Sequence, residues 1–272
     1  LKAARGSVIF HGRADQAALN GIMGSKHMAQ YDNRYAQPGT ARTGVATVDE
    51  GLRAYMLTVY NYMAGGLGLT GLVAYFTYQM ALSSPAFAQA IYGSPLKWVI
   101  MLAPLGFVIF LSVRVYKMSV AAAQLSFWLF AAVMGLSLSS IFLVFTGQSI
   151  TQVFFITAAA FAGLSVYGYT TKKDLSGWGS FLIMGVIGII IAALVNIFLQ
   201  SSALQFAISV IGVLVFAGLT AYDTQRIKDT YYTLAGDATM AAKTAIMGAL
   251  SLYLDFINMF ISLLQLFGAR NE

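Results

Sequence analysis

The sequence predicts an all-α polytopic membrane protein of seven transmembrane helices, with the last helix at the centre of the bundle. Three observations carry this reading. The chain is 58% hydrophobic and only 10% charged, with a mean hydropathy of +0.73, where a soluble domain carries about 25% charged residues. Seven apolar runs, at 53–79, 97–115, 122–146, 150–170, 178–199, 203–224 and 243–267, each approach the ~20 residues that cross ~30 Å of hydrocarbon. The last run holds Asp255 near its middle, within the polar line Gly248, Ser251, Asp255, Asn258, Ser262 and Gln265. Spacings of three and four put all six on one helix face. A carboxylate at bilayer depth costs ~2.5–3.5 kcal/mol on insertion scales, so this face should meet protein or trapped water.

Composition removes several function classes. With no cysteine, the chain has no disulfide, thiolate metal site or cysteine nucleophile. Its two histidines, His11 and His27, precede the first run, so a histidine switch within the membrane is excluded. The pI near 9.4 does not point to nucleic acid, because the basic residues sit between apolar runs; the partner is the lipid bilayer. Residues 1–51 are polar, rich in Gly, Ala, Gln and Arg, and lack a sustained apolar period, which reads as a flexible tail ahead of a transmembrane domain over 52–268. Gly24-Ser25-Lys26-His27-Met28 reads as a cloning junction or an upstream extension before a natural start at Met28. A targeting peptide is the competing reading for the basic segment 1–27, which lacks the Ser richness and amphipathic period of one.

In chain order, the first run contains Gly65, Gly66, Gly68 and Gly71, which let another helix approach its backbone. Pro104 predicts a kink in the second run. Asn196 in the fifth needs a polar partner. The short link Gln200–Ser202 makes the fifth and sixth runs antiparallel neighbours. Lys and Arg alternate with the loops: Arg114 and Lys117, Lys172 and Lys173, then Arg226, Lys228 and Lys243 share a side with Arg34, Arg42 and Arg53 of the tail. The other side has only Lys97 and Arg270. This bias favours seven spans over six, with the N-terminus cytoplasmic and the C-terminus outside.

Three charges lie within or against the hydrocarbon: Arg114, Asp223 and Asp255. Asp223 shares a face with Thr220 and Ile227. Asp255 lies twelve residues beyond Lys243, or ~18 Å along a helix, near the midplane. If the sixth span ends below the surface, the aspartates can meet. Two close carboxylates in a low dielectric cannot both ionise cheaply and tend to share a proton. Deprotonated, they offer oxygens to a cation, although calcium wants six to eight, to which Asn258, carbonyls or water must contribute. Ser251 and Ser262 extend the same polar face. The blander readings stand beside these: Asp223 as an interfacial residue capping or pairing with Arg226 or Lys228, Asp255 as a structural hydrogen-bonding group, and Arg114 as an interface residue that snorkels.

Leu250-Ser251-Leu252-Tyr253-Leu254-Asp255-Phe256-Ile257-Asn258-Met259-Phe260 resembles the signature of the transmembrane Bax inhibitor motif family, and Ala221-Tyr222-Asp223-Thr224-Gln225-Arg226-Ile227 resembles its sixth-span end. Lys172-Lys173-Asp174-Leu175-Ser176 and Asn196-Ile197-Phe198 also match. The resemblance covers roughly residues 45–268. It implies six helices wrapped around a central C-terminal helix, and a non-enzymatic protein in which Asp223 and Asp255 act as a paired-aspartate sensor for a calcium-permeable pore. Arg114 matches the start of the family's basic cluster after the second span, whose arginine can pair with the aspartates; here that cluster is thin. Calcium is implied as the permeant or weakly bound ion, with no other cofactor. The compact loops and the short segment Gly268–Glu272 resemble bacterial members of the cytoplasmic (inner) membrane.

Three functions compete. The first is a pH-sensitive calcium leak channel. The second is a regulator that binds a membrane-bound protease or a cell-death partner. The third, an intramembrane aspartyl protease, has Tyr222-Asp223 in its favour, but Tyr253-Leu254-Asp255 departs from the Gly-x-Gly-Asp pattern that presenilin-like enzymes carry. A serine protease is weaker still, because Ser137 and Ser165 have no histidine within the membrane to serve as base.

Overall fold

The computed structural model describes residues 39–234 and 236–271, with side chains from Glu50 onward. Two compact units divide between Asp49 and Glu50, and all the packing below belongs to the second. Residues 1–38 of the expected tail, including the junction at 24–28, lie outside the described residues. Helix α1, Gly39–Ser83, already includes the last part of that stretch.

The chain then alternates helices and tight turns, several of them capped by a side chain. Ser84 accepts a hydrogen bond from the Phe87 amide at 3.3 Å and starts the short α2, Pro85–Ala88; Pro85 suits the first helical position, where no amide bond is lost. A π-helical turn, Gln89–Gly93, leads to α3, Leu96–Arg114, which carries Pro104 inside it and so lacks one ladder bond there. A 3-10 turn follows at Val115–Lys117. Ser119 caps α4, Val120–Leu138, and α5, Ile141–Val144, completes the third apolar run. Thr146 caps α6, Gly147–Thr170. Helix α7, Ser176–Leu199, turns at Gln200, a non-glycine residue at φ 50°, into α8, Ser202–Thr233. Asn196 finds its partners at this turn: its Oδ1 accepts from the Ser201 amide at 3.0 Å and its Nδ2 donates to Gln205 at 3.2 Å. Asp237 caps α9, Ala238–Phe267.

Among the described residues, six helices are long and apolar enough to cross a membrane, against the seven expected. Helix α1 falls short of the other six because its glycines, Asn61 and several tyrosines dilute its hydropathy. Burial separates the rest. In the most apolar stretch of α9, 61% of residues are buried, against 6% in α7; α9 is therefore the most buried of these six helices and α7 the most exposed. Helix α9 packs against α8, α6 and α4. It also meets α1 through a buried hydrogen-bonded relay, in which the Thr70 hydroxyl donates to the Ala131 carbonyl at 2.8 Å and pairs with the Tyr253 hydroxyl at 2.7 Å. With Thr70's proton committed to Ala131, Tyr253 is the donor of that second bond.

Among the helix C-termini, that of the sixth run moves most. Expected to end at 224, the helix continues to Thr233, so Asp223 lies well inside it rather than at its end. Polar residues beyond 224 lower the hydropathy without breaking the helix, and Gln225, Arg226 and Lys228 find partners in the fold.

Candidate functional site

The polar stripe of α9 faces α8. A Cβ on Gly248 would lie 3.1 Å from Ile227, and one on Gly212 would lie 2.5 Å from the Ser262 hydroxyl. These two approaches set an antiparallel register between the helices. The same register puts Ser251 across from Asp223, and Asp255 across from Thr220. The two carboxylates are thus offset by about one helical turn, ~5.4 Å along the axis, and the charge of Asp223 acts on Asp255. Both side chains are buried, with Asp255 only 4% exposed and Asp223 9%.

The rest of the stripe does not satisfy Asp255. Asn258 donates to the Leu254 carbonyl at 2.8 Å, and Ser262 donates to the Asn258 carbonyl at 2.8 Å. Both bonds run back along their own helix, a local arrangement open to short polar side chains. Ser251 is half-buried on the same face. The Asp255 Oδ2 has no hydrogen-bond partner, a costly condition for a buried carboxylate oxygen.

Asp223 has a neighbour that Asp255 lacks. The Arg226 guanidinium lies 3.9 Å from its Oδ1, one turn along α8, with the arginine side chain 65% exposed. The pairing with Arg226 weighed from the sequence is therefore present, as a loose, half-solvated ion pair. Arg114 is not brought to either aspartate. It ends α3 on an exposed face, while Leu111 and Val115 fill the interior side, and α3 packs on α4 rather than on α8. The cation beside the pair is Arg226.

The polar end of α8 is fastened to α6 and to the loop after it. Gln225 accepts from the Leu175 amide at 2.8 Å and donates to the Lys173 carbonyl at 2.8 Å. Lys228 donates to the Tyr169 carbonyl at 2.9 Å and sits over the Tyr169 ring. Thr224 bonds Ser165 at 3.4 Å. A Cβ on Gly168 would overlap the Ala221 carbonyl, so α6 and α8 touch backbone to backbone beside Asp223. Gly168 is not singled out by the sequence, and the partners of Gln225 and Lys228 are not foreseen there: Lys228, weighed as a partner of Asp223, bonds Tyr169 instead. The signal was there in the polar spacing of 224, 225 and 228, which continues past the assumed end of the span. Gln225→Ala should cost about 1–3 kcal/mol, since two backbone groups lose their partner; thermal unfolding in detergent measures this.

In the same loop, Asp174 accepts from the Ser176 amide at 2.8 Å. Hydrogen bonds from the Ser176 side chain and backbone hold its carboxyl below the usual 3.8. A folded-state value below the unfolded one stabilises the protein above the unfolded value and is lost as pH falls through the folded value. We therefore expect Asp174→Asn to leave stability unchanged under acid conditions below that range and to lower it slightly at neutral pH, in paired melts.

Among the described residues, no group of three or more His, Cys, Asp or Glu side chains could hold a metal. A calcium ion at Asp223 and Asp255 would take most of its six to eight oxygens from water and carbonyls, as a passing cargo.

The chain has relatives of similar length in several bacteria. An uncharacterized protein of Rickettsia prowazekii, RP147, is 46% identical over 238 residues, covering 88% of this chain and 99% of that protein. An uncharacterized protein of Caulobacter vibrioides is 45% identical over 254 residues, 90% of this chain and all of the relative. The inner membrane protein YbhL of Escherichia coli is 46% identical over 222 residues, 81% of this chain and 93% of YbhL. The model of the family described as inhibitor of apoptosis-promoting Bax1 matches residues 52–272, nearly the whole of the unit that carries the two aspartates. This integral membrane protein belongs to that Bax inhibitor-1-like family.

Proposed function

We propose that the protein is a pH-sensitive calcium leak channel of the bacterial cytoplasmic membrane, gated by Asp223 and Asp255 between α8 and α9. The observation that carries this reading is the Asp255 Oδ2, buried on the most buried of the apolar helices without a partner, within electrostatic reach of a second buried carboxylate. An apolar side chain would fill that place at lower cost, so the carboxylate is kept for what it does when its charge changes. With one shared proton, α8 and α9 stay close. With both groups ionised, the charges repel, and they admit water or a cation between the helices. Arg226, on the exposed side of Asp223, moderates that repulsion, a role the sequence had placed on Arg114.

In this reading α1 is the seventh span. Its 45 residues exceed the length a bilayer needs, and Leu57, Leu72, Phe76 and Met80 present an exposed apolar face. Six helices then surround α9, the N-terminus is cytoplasmic and the C-terminus lies outside. Reconstitution into liposomes loaded with a calcium dye tests the channel, comparing wild type with Asp223→Asn and Asp255→Asn between about pH 6 and 8, where a shared-proton carboxylate pair can titrate. Flux no greater than in empty liposomes, with folded protein, would remove the channel reading. A non-enzymatic regulator of a membrane protease or cell-death partner would then stand, which has the family's description as an inhibitor in its favour.

A further inference from the structure

A groove of about 770 Å³ runs between α1 and α6. This is within the size range of ligand sites. Its walls come from Arg53 to Gly68 on α1 and from Phe154 to Tyr169 on α6, with Phe256 of α9 as its floor. Leu67 and Thr70 lie near Phe154 and Ile150 at one end. Tyr55 stacks near Tyr231, one turn from Lys228, which holds Tyr169. The helices are therefore antiparallel, and Arg53 and Tyr169 mark the same end of the groove.

Two features argue that something other than protein fills it. Small residues face each other across the gap, Ala64 and Gly68 on α1 and Ala158 and Ala162 on α6. Such small-xxx-small pairs ordinarily let transmembrane helices touch, yet here the backbones stay apart. The lining is also graded. Apart from Ser165 and two tyrosines it is apolar along its length, and its one ionised residue, Arg53, stands at one end. Among the residues whose side chains are described, from Glu50 onward, no carboxylate pairs with Arg53, and Lys228 adds a second cation at that end. The α1 wall runs from Arg53 to Gly68, fifteen helical rises or ~22 Å, enough for a leaflet's share of the ~30 Å hydrocarbon core plus the start of a headgroup.

We propose that this groove is a site for one anionic phospholipid, its acyl chain lying against Ala64, Ala158 and Phe256 and its phosphate held by Arg53. Arg53 supplies the fork that phosphate oxygens accept, and the second cation at this end favours a net negative headgroup over a zwitterionic one. The site is separate from the aspartate pair, and its occupancy does not depend on whether the protein conducts calcium.

The test places the full chain in phosphatidylcholine nanodiscs doped with diazirine-bearing phosphatidylglycerol or with diazirine-bearing phosphatidylcholine of the same chains. Illumination and peptide mapping then locate the cross-links. The expected result is labelling of the 64–68 and 158–162 segments about fivefold stronger with phosphatidylglycerol, the share one cation near a charged headgroup contributes. Arg53→Gln should level the two lipids, and Ala162→Phe, which fills a face already open to the groove, should abolish labelling by both. Equal labelling in the wild type, or a preference that survives Arg53→Gln, would mean annular lipid only and would overturn the proposal. The wild-type comparison decides this even if a variant fails to fold.

Discussion

Asp255→Asn is expected to flatten the pH dependence of calcium flux while leaving the protein folded. The substitution keeps size and shape and removes the ability to ionise. If the charge state of the pair sets the position of α8 against α9, wild-type flux should vary with pH by about 5–150-fold, the span of typical coupling between a switch and its output. The variant should stay level over the same range. Asp223→Asn should have the same sign and a smaller effect, because Asp223 already has the half-solvated Arg226 beside it. A second substitution separates gating from a merely structural role. Asp255→Leu removes the unpartnered Oδ2, and replacing a buried charged group by a packed apolar one is often neutral or stabilising by about 1–4 kcal/mol. A stable Asp255→Leu protein without pH response supports the gate; one that unfolds would show that Asp255 is a structural hydrogen-bonding group and would sink this reading.

Gly168→Ala should be among the most damaging single-methyl changes in the molecule. The new Cβ would collide with the Ala221 carbonyl oxygen and lie 3.0 Å from that residue's Cα and carbonyl carbon. Those are backbone atoms and cannot rotate away, so α6 and α8 must separate. Overpacking of this kind costs about 1–3 kcal/mol, and here it also strains the Ser165–Thr224 bond and the Gln225 clamp. Gly163→Ala on the same helix is the control. Nothing lies within 4 Å of its added methyl, and loss of glycine's backbone freedom should make it neutral or slightly stabilising, by up to about 1 kcal/mol. Equal melting temperatures for the two variants would refute the close-contact argument.

What could be read in advance follows from how local each signal is. Apolar runs located the spanning helices to within a few residues, because a helix in hydrocarbon must be apolar along its whole length. Asp255 could be read because a charge inside such a run has no local excuse. Helix α1 was harder: its glycines and tyrosines serve packing against Phe127, Trp128 and Tyr253 at the expense of hydropathy. The end of α8 was misplaced for a related reason. Asp223, Thr224, Gln225 and Lys228 look like a surface segment until their partners on α6 and in the following loop are known.

Arg114 marks the limit of pattern reading. Its position at the end of α3 put it on the same side as the aspartates, but side is not contact. Which cation approaches Asp223 depends on the rotation of α3 and on α3 packing against α4, and neither leaves a mark within a single helix. The groove between α1 and α6 is invisible for the same reason, since small residues that would join two helices also line a gap when those helices are held apart.

The sequence by itself determined the membrane class, the places of the apolar helices and the presence of Asp255 in the middle of the last one, because hydropathy and periodicity act within one segment. The pairing of α8 with α9, the ion pair of Arg226 with Asp223, and the space left beside Arg53 were decided only by the tertiary structure. Each depends on which faces of different helices meet, and long-range packing settles that choice.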